Sequence, residues 1–409
     1  MEVKNLKELI AASLGNGKKL ISYQSSNLLS SGENYGSILL RIQAKYFDEN
    51  SDEREIDWVA KIAPPIPFLW EFFNTPVTFK KEVGVYKVIQ PTLNEFGKEK
   101  GIDNLIDIFA KYNGSRYSLD ANSEEVDRNA VLLMENLKIT GFESKDRFAG
   151  FDFDCTELIL RDLATLHASV IAFKRAKPKE FQAKILPYLS RDFYFDAGEE
   201  QLRQFIETLK GVGIKANPGC AEYLPKVEKI FMDIVKAYRA PLNPRETWAT
   251  FVHGDLWVNN VLLKFENGKP VKHKMVDFQI IEYNSAANDV LFFLYSSVDL
   301  ALLEDRVDEF LKMYHEYFVE TLKKLDCDIA EYTYESFLEE CGKVVLELQL
   351  AHLTFMHLPI FTMKGEAKEI TEFGSWTTSD IEANMKKMHP ICGKRFQFII
   401  MNFAKRGWI

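Results

Sequence analysis

The hydrophobic pattern changes its period near residue 135, and this change constrains the fold more than any other feature of the sequence. Before it, one helical pattern at 77–96 stands among apolar runs of strand type at 37–46, 56–62, 105–112 and 130–134. After it, helical spacing of apolar residues predominates, over 156–174, 221–239, 299–325, 333–358 and 379–405. A strand-rich stretch at 249–283 interrupts these helices.

These patterns predict an α+β chain with two lobes, because strands and helices are concentrated in different parts of the sequence. The N-terminal lobe, residues 1–134, is expected to be small and rich in β-strand. The C-terminal lobe, residues 135–409, is expected to be larger and mainly helical. The 409 residues include 46% apolar and 13% aromatic residues, which is ample for packed cores.

Charge and cysteine content exclude several classes of protein. The 51 Lys and Arg against 60 Asp and Glu give a formal charge of −9 without a basic stripe, so no nucleic-acid partner is expected. The five scattered cysteines argue against a disulfide framework and a structural zinc site. No apolar stretch reaches the roughly 18 residues of a membrane span, and residues 1–12 do not resemble a signal peptide. We expect a cytoplasmic chain without membrane association, and no obligate protein partner is evident.

One polar segment between apolar flanks carries the chemistry. It reads His253-Gly-Asp255-Leu-Trp-Val-Asn-Asn260, and a second acid, Asp277, follows in Val-Asp-Phe-Gln after another apolar run. Phosphoryl transfer requires such groups, since one carboxylate takes or orients the proton of an attacking hydroxyl. An amide and a second carboxylate can then hold Mg²⁺ on the nucleotide phosphates, because Mg²⁺ prefers a few oxygen ligands. The segment predicts phosphoryl transfer.

The motif H-G-D-x-x-x-x-N, with the Val-Asp-Phe strand after it, resembles the kinase-like fold of choline kinases and aminoglycoside phosphotransferases. Residues 253–260, 276–279 and 288–294 resemble in particular the ecdysteroid kinase-like family of insect small-molecule kinases. The resemblance extends over about residues 20–360. It implies a two-lobed protein-kinase-like fold that uses ATP and Mg²⁺.

The resemblance also implies roles for individual side chains of the C-terminal lobe. Asp255 is expected to be the catalytic base, and Asn260 and Asp277 are expected to hold Mg²⁺. His253 would brace the loop, and Asp289 would stabilise it from the following helix. His167 is interpreted separately as a packing residue, because it lies on an apolar helix.

The nucleotide site implied by the resemblance belongs mostly to the N-terminal lobe. Lys61, on a predicted strand, would contact the phosphates, and Glu82 of the following helix would pair with it. The phosphate loop is matched at Gly32, Asn34 and Tyr35. The connector that grips adenine between the lobes is matched at Glu135, Asn136 and Leu137.

The sequence departs from protein kinases in three respects. The phosphate loop lacks G-x-G-x-x-G, so its backbone contacts would depend on Gly32 and Gly36. Gln279 replaces the glycine of D-F-G, and no A-P-E segment follows it. A protein substrate is therefore less expected than a small molecule.

The leading functional prediction is ATP-dependent phosphorylation of a hydroxyl on a small molecule. The family resemblance suggests an ecdysteroid or another apolar, plant-derived alcohol handled in detoxification. Choline, ethanolamine or an aminoglycoside is the alternative acceptor, and the acidic charge balance permits either class. The alternative of another kind is a pseudokinase scaffold that binds a nucleotide without catalysis. A pseudokinase is expected to lack one or more of the residues Lys61, Asp255, Asn260 and Asp277, and all four are present in this sequence.

Overall fold

The computed structural model describes residues 3–28, 37–191, 218–239, 243–363 and 387–409. The N-terminal part contains five strands, β1 (Lys19–Asn27), β2 (Ile38–Phe47), β3 (Glu53–Ile62), β4 (Tyr112–Arg116) and β5 (Val131–Glu135). They form one antiparallel sheet in the order β1-β2-β3-β5-β4. Its helices are α1 (Leu6–Leu14), α2 (Pro67–Phe72), α3 (Thr75–Gly84) and α4 (Gln90–Glu99).

The two faces of this sheet pack against different partners, because side chains alternate along a strand. Val131 and Leu133 of β5 belong to a small core with residues of α1. Leu132, between them, belongs to the main core, which also contains the apolar residues of α3. Lys61 of β3 pairs with Leu132 in the register of the sheet. The register therefore directs the lysine side chain toward α3, away from α1.

The helical pattern predicted at 77–96 corresponds to α3 and α4. A single π-helical turn, Val85–Ile89, joins them. Pro91, which has no backbone N–H to donate, follows this turn in the first turn of α4. Phe79, Val83 and Tyr86 are buried along one side, as the spacing predicts.

The C-terminal part is mainly helical. Its helices are α5 (Phe153–Ala176), α6 (Pro178–Glu180), α7 (Leu224–Arg239), α8 (Ala287–Ser297), α9 (Leu300–Lys324), α10 (Tyr334–Val344), α11 (Leu350–Phe361) and α12 (Ile391–Lys405). Its strands are β6 (Phe142–Ser144), β7 (Ala249–Val252), β8 (Val261–Glu266), β9 (Lys269–Met275) and β10 (Glu282–Ser285). Two small antiparallel sheets result, β6-β8-β9 and β7-β10, and the strand-rich stretch predicted at 249–283 is confirmed.

The strand predicted at 105–112 is wrong. Within it only Phe109 forms a bridge, an isolated one to Met275, and β4 begins at the last residue of the segment. Side chains of α4 bind this backbone instead: Ile106 N donates to Asn94 Oδ1 at 2.7 Å, and Asn94 Nδ2 donates to Ile106 O at 3.1 Å. The apolar run reflects burial, which does not require strand pairing.

Three helical predictions need smaller corrections. The segment 221–239 begins as a 3₁₀ turn, Pro218–Tyr223, before α7. The segment 333–358 contains a π-helical turn, Val345–Gln349, between α10 and α11. The helix predicted at 379–405 begins at Ile391, directly after Pro390, and residues 379–386 lie outside the described part of the chain. Proline removes a backbone donor and therefore favours the first turn of a helix.

The predicted α+β architecture, with a β-rich N-terminal part and a helical C-terminal part in a protein-kinase-like fold, is confirmed. The lobe boundary between residues 134 and 135 stays a prediction. No helix among the described residues has the length and apolar character needed to cross a membrane.

Candidate functional site

Lys61 joins three parts of the chain at the candidate site. Its Nζ lies 2.6 Å from Glu82 Oε2 of α3 and 2.9 Å from Asp277 Oδ1, just after β9. The side chains of Lys61 and Glu82 are 3% and 1% exposed, whereas that of Asp277 is 32% exposed. Burial lowers the pKa of Lys61, but the charges of Asp277 and Glu82 outweigh it and raise that pKa overall. Lys61 is therefore a buried ammonium whose one solvent-facing partner is Asp277.

Asp277 is held in place by the residue that follows it. Its backbone has φ +68°, in the left-handed region that Asp tolerates better than most residues. The Phe278 ring packs against Phe109, Tyr86 and His253, with ring centroids 4.6, 5.6 and 4.9 Å away. Such edge-on and tilted aromatic contacts fix the orientation of the chain directly after the carboxylate.

Asp255 and Asn260 form a second polar pair. Asn260 Nδ2 donates to Asp255 O at 2.8 Å and to Asp255 Oδ2 at 3.0 Å. The other carboxylate oxygen, Oδ1, is buried and has no hydrogen-bond partner among the described residues, although part of the residue is exposed. Burial, with the nearby negative charge of Asp277, raises the pKa of Asp255 to about 8. Asn260 thus orients one oxygen, and the other makes no hydrogen bond within the described part of the chain.

The strand register brings this pair beside Asp277. Asn260 ends a short 3₁₀ turn, and the next residue pairs with Met275 of β9. Val276 N donates to Asn260 O at 3.0 Å. Asn260 and Asp277 therefore flank the same pair of strand ends, although 16 residues separate them in the sequence.

The backbone of the loop at 253–255 is held by Asp289, in the first turn of α8. His253 N donates to Asp289 Oδ2 at 2.6 Å, and Gly254 N donates to Oδ1 at 2.9 Å. The His253 ring accepts from Asp255 N at 3.3 Å and donates from Nε2 to Val276 O at 3.0 Å. Both residues stabilise the loop, as the resemblance implied.

Asp289 has a further partner beneath the loop. His167 Nε2 lies 3.3 Å from Asp289 Oδ2, and His167 Nδ1 lies 2.7 Å from the Tyr314 hydroxyl. Burial raises the pKa of Asp289, but its hydrogen bond to His167 and the charges of His167 and His253 lower it overall. His167 packs inside the helical core, as predicted, with both ring nitrogens bonded.

The sequence that forms this site matches a known protein family. A model of the ecdysteroid kinase-like family matches residues 31–327, well over half of the 409 residues. The chain belongs to the ecdysteroid kinase-like family. A search of curated proteins found no significant match.

Solved structures similar to this family member include small-molecule kinases. The ethanolamine kinase of Plasmodium vivax is 10% identical, with 95% of this chain and 85% of that chain covered, at a TM-score of 0.39. A GDP complex of an aminoglycoside 2′-phosphotransferase-IIIa variant is 12% identical, with 99% and 100% covered, at a TM-score of 0.46. Both scores are below 0.5, so the assignment rests on the family model.

In this ecdysteroid kinase-like chain, the predicted adenine connector begins at Glu135, the last residue of β5. The Asn136 side chain is buried and donates to Asp57 Oδ1 at 2.7 Å, and Leu137 is buried as well. The Glu135 carboxylate accepts from Lys111 N at 3.1 Å. These side chains are occupied by the protein, so an adenine would have to contact the connector mainly through backbone groups. The role of the connector stays a prediction.

Three predicted phosphate-loop residues, Gly32, Asn34 and Tyr35, lie outside the described residues, as does Gly36. Of the other predicted positions, five come together in space, Lys61, Glu82, Asp255, Asn260 and Asp277.

The donor set at the candidate site is compatible with Mg²⁺. In the described part of the chain, no three His, Cys, Asp or Glu side chains cluster closely enough to hold a metal ion. A Mg²⁺ that shares nucleotide phosphates needs only one or two protein ligands. Because Asn260 Nδ2 is bonded to Asp255, its Oδ1 is the atom left for coordination, and the Asp277 carboxylate is partly exposed. These residues would be the ligands, and the assignment stays a prediction.

Sequence reasoning missed two contributors to the site. Tyr86 lies one helical turn after Glu82 and contacts Phe278, a position that i, i+4 spacing could have indicated. Asp57 binds Arg41 Nε at 2.9 Å and so ties β2, β3 and the connector together. Its partners depend on strand register, which no local pattern in the sequence reveals.

Proposed function

We propose that this chain is an ATP-dependent phosphotransferase that acts on the hydroxyl of a small molecule. The observation that supports it most is the Lys61 ion pair with both Glu82 and Asp277, beside the Asp255–Asn260 pair. These five side chains come from four separate segments of the chain, β3, α3, the loop at 253–260 and the residues after β9. Packing alone would not require buried charges in this arrangement, because burying charges is unfavourable unless they are paired.

Asp255 is proposed as the general base. Asn260 holds Oδ2, whereas Oδ1 has no hydrogen-bond partner among the described residues, so the acceptor hydroxyl would meet Oδ1. The Trp257 side chain lies near the carboxylate and lowers its pKa, against the larger effect of burial. A pKa of about 8 is close to ordinary working pH, where a base combines useful proton affinity with a usable ionised fraction. A cation nearby would favour the ionised carboxylate.

Lys61 is proposed to hold the nucleotide phosphates. It remains charged, and its 2.9 Å contact with Asp277 is the one that phosphate oxygens and Mg²⁺ could replace. Glu82 would keep the ammonium in position during this exchange, since both are almost fully buried. Mg²⁺, held by Asn260 and Asp277, would neutralise charge on the transferred phosphoryl group.

The proposed acceptor is an ecdysteroid or another apolar, plant-derived alcohol, in keeping with the family and with detoxification. Choline, ethanolamine and aminoglycosides are retained as alternatives. The presence and placement of Lys61, Asp255, Asn260 and Asp277 favour catalysis over a pseudokinase scaffold. We also propose a cytoplasmic location, in keeping with five free cysteines, four of them buried.

The test is a mass-spectrometric screen with Mg-ATP and a panel of ecdysteroids, plant glucosides, choline, ethanolamine and aminoglycosides. We expect a product one phosphoryl group heavier than one of these alcohols, formed by the wild-type chain. Asp255→Asn, which keeps the shape of the side chain, is the matched control and should form product at least about 100-fold more slowly. Equal product formation by both chains would rule out the proposed mechanism.

A further inference from the structure

A cavity of about 950 Å³ adjoins the candidate active site, with Tyr86 and Glu135 in its wall. Its walls come from the π-helical turn and α4, the irregular segment before β4, the connector after β5, and the hairpin of β8 and β9. None of Lys61, Asp255, Asn260 and Asp277 lines it. We call it the lysine cavity, after its five lysines, Lys87, Lys111, Lys264, Lys272 and Lys274.

The charges of the lysine cavity are not balanced. Five lysines face three acids, Asp107, Glu135 and Glu266, a formal difference of +2 in a chain whose net charge is −9. Asp107 already binds two of the lysines, Lys272 at 3.1 Å and Lys274 at 2.8 Å.

Glu135 keeps its negative charge, but its oxygens accept from the neutral Lys111 N and Thr140 hydroxyl, and it forms no ion pair with a lysine of the cavity among the described residues. Lys87, Lys111 and Lys264 have no ion pair among the described residues. Ammonium groups gathered around a concave surface raise the local concentration of anions.

The inner wall of the lysine cavity is aromatic. Tyr86 and Phe109 line it and are almost completely buried. Phe142, which is also buried, and Val271, which is exposed, add apolar surface. A site with an apolar wall and a few charged groups is typical of one that binds an organic molecule of moderate size.

We propose that the lysine cavity binds an organic phosphate with an aromatic or apolar body. Its phosphate would contact Lys87, Lys111 and Lys264. Its body would lie against Tyr86 and Phe109. Lysine suits this role because a compact ammonium binds phosphate without the geometric demands of arginine.

The test uses phenyl phosphate as the probe, measured by isothermal titration calorimetry at low ionic strength. The cavity variant is Lys111→Ala/Lys264→Ala, and the matched control is Lys7→Ala/Lys179→Ala, two exposed lysines with no ion pair in the described structure. Loss of two charged contacts should weaken binding by about tenfold or more, whereas the control should stay within about twofold. Benzyl alcohol, which has no phosphate, should bind more weakly than phenyl phosphate.

A second measurement locates the probe in the wild-type chain without any substitution. Acetylation of lysines with acetic anhydride, read by mass spectrometry, should be slowed by phenyl phosphate at Lys87, Lys111 and Lys264 but not at Lys7. Val271→Glu, an exposed strand position at the rim, should abolish this protection by adding a negative charge.

Three results would overturn the proposal. They are absence of millimolar binding by the wild-type chain, equal affinity in the cavity variant, and protection of lysines elsewhere. None of these measurements depends on phosphotransfer, so the proposed function and the lysine cavity can fail separately.

Discussion

Two carboxylates at one loop differ sharply in their surroundings, Asp255 in the loop itself and Asp289 in the helix that holds it. Asp289 receives two backbone N–H groups and faces His167, and its pKa is lowered despite burial. The Asp255 carboxylate accepts one hydrogen bond, from Asn260 to Oδ2, and burial together with Asp277 raises its pKa to about 8. A saturated carboxylate stabilises structure, whereas one with a free oxygen keeps its proton affinity for chemistry.

The largest expected effect is on turnover in Asp255→Asn. We expect the substitution to reduce turnover by about 10²–10⁴-fold, the range for loss of a general base, while nucleotide affinity stays close to that of the wild type. Steady-state kinetics and calorimetry with Mg-ATP measure the two quantities. Near-normal turnover would remove Asp255 from the mechanism.

Asp277→Ala should affect nucleotide binding instead. It removes the proposed metal ligand and the exposed partner of Lys61. We expect Mg²⁺ to lose its effect on ATP affinity, as measured by calorimetry with Mg²⁺ and with EDTA. A metal dependence equal to that of the wild type would place the metal elsewhere.

Asp289→Ala should act on stability. The substitution leaves two buried N–H groups and His167 without their acceptor, at a cost of about 3 kcal/mol in the free energy of unfolding. Urea denaturation of this variant and of Asp255→Asn gives the comparison directly. A larger loss in Asp255→Asn than in Asp289→Ala would reverse our interpretation of the two carboxylates.

The pH dependence of stability should have opposite signs for the two carboxylates. The raised pKa of Asp255 favours the folded chain when this group is protonated, so its contribution is lost as pH rises toward about 8. The lowered pKa of Asp289 favours the folded chain when ionised, so its contribution is lost only in acid, below the ordinary Asp range.

In EDTA, the melting temperature of Asp255→Asn minus that of the wild type should therefore increase as the pH rises from 5 to 8. Thermal denaturation followed by circular dichroism measures this difference. A constant difference across that range would show that Asp255 titrates normally.

The smallest effect is expected from Tyr314→Phe. The variant removes only the hydroxyl that binds His167 Nδ1 at 2.7 Å, which should cost about 1 kcal/mol of stability. Urea denaturation measures it, and turnover should not change. A large loss of turnover would show that the network under the loop controls more than stability.

The sequence predicted the residues of the site well, because their spacing forms a recognisable motif and their functional groups suit phosphoryl transfer. Lys61, Glu82, Asp255, Asn260 and Asp277 were identified from motifs, and the structure brings them together. Their catalytic and metal-binding roles stay predictions.

The strand prediction failed at a segment that is buried but does not pair as a strand. The apolar run at 105–112 is buried, but side chains of α4 bind part of its backbone in place of a neighbouring strand. The lysine cavity was missed for a related reason, since its lysines lie on separate elements and each one resembles an ordinary solvated charge.

The sequence by itself determined the two kinds of lobe, the polar loop and the family, because periodicity and motif spacing are local properties. Only the tertiary structure decided which of two similar aspartates is saturated with hydrogen bonds and which keeps a free oxygen. The physical reason is that desolvation and hydrogen-bond partners depend on groups brought together from distant segments.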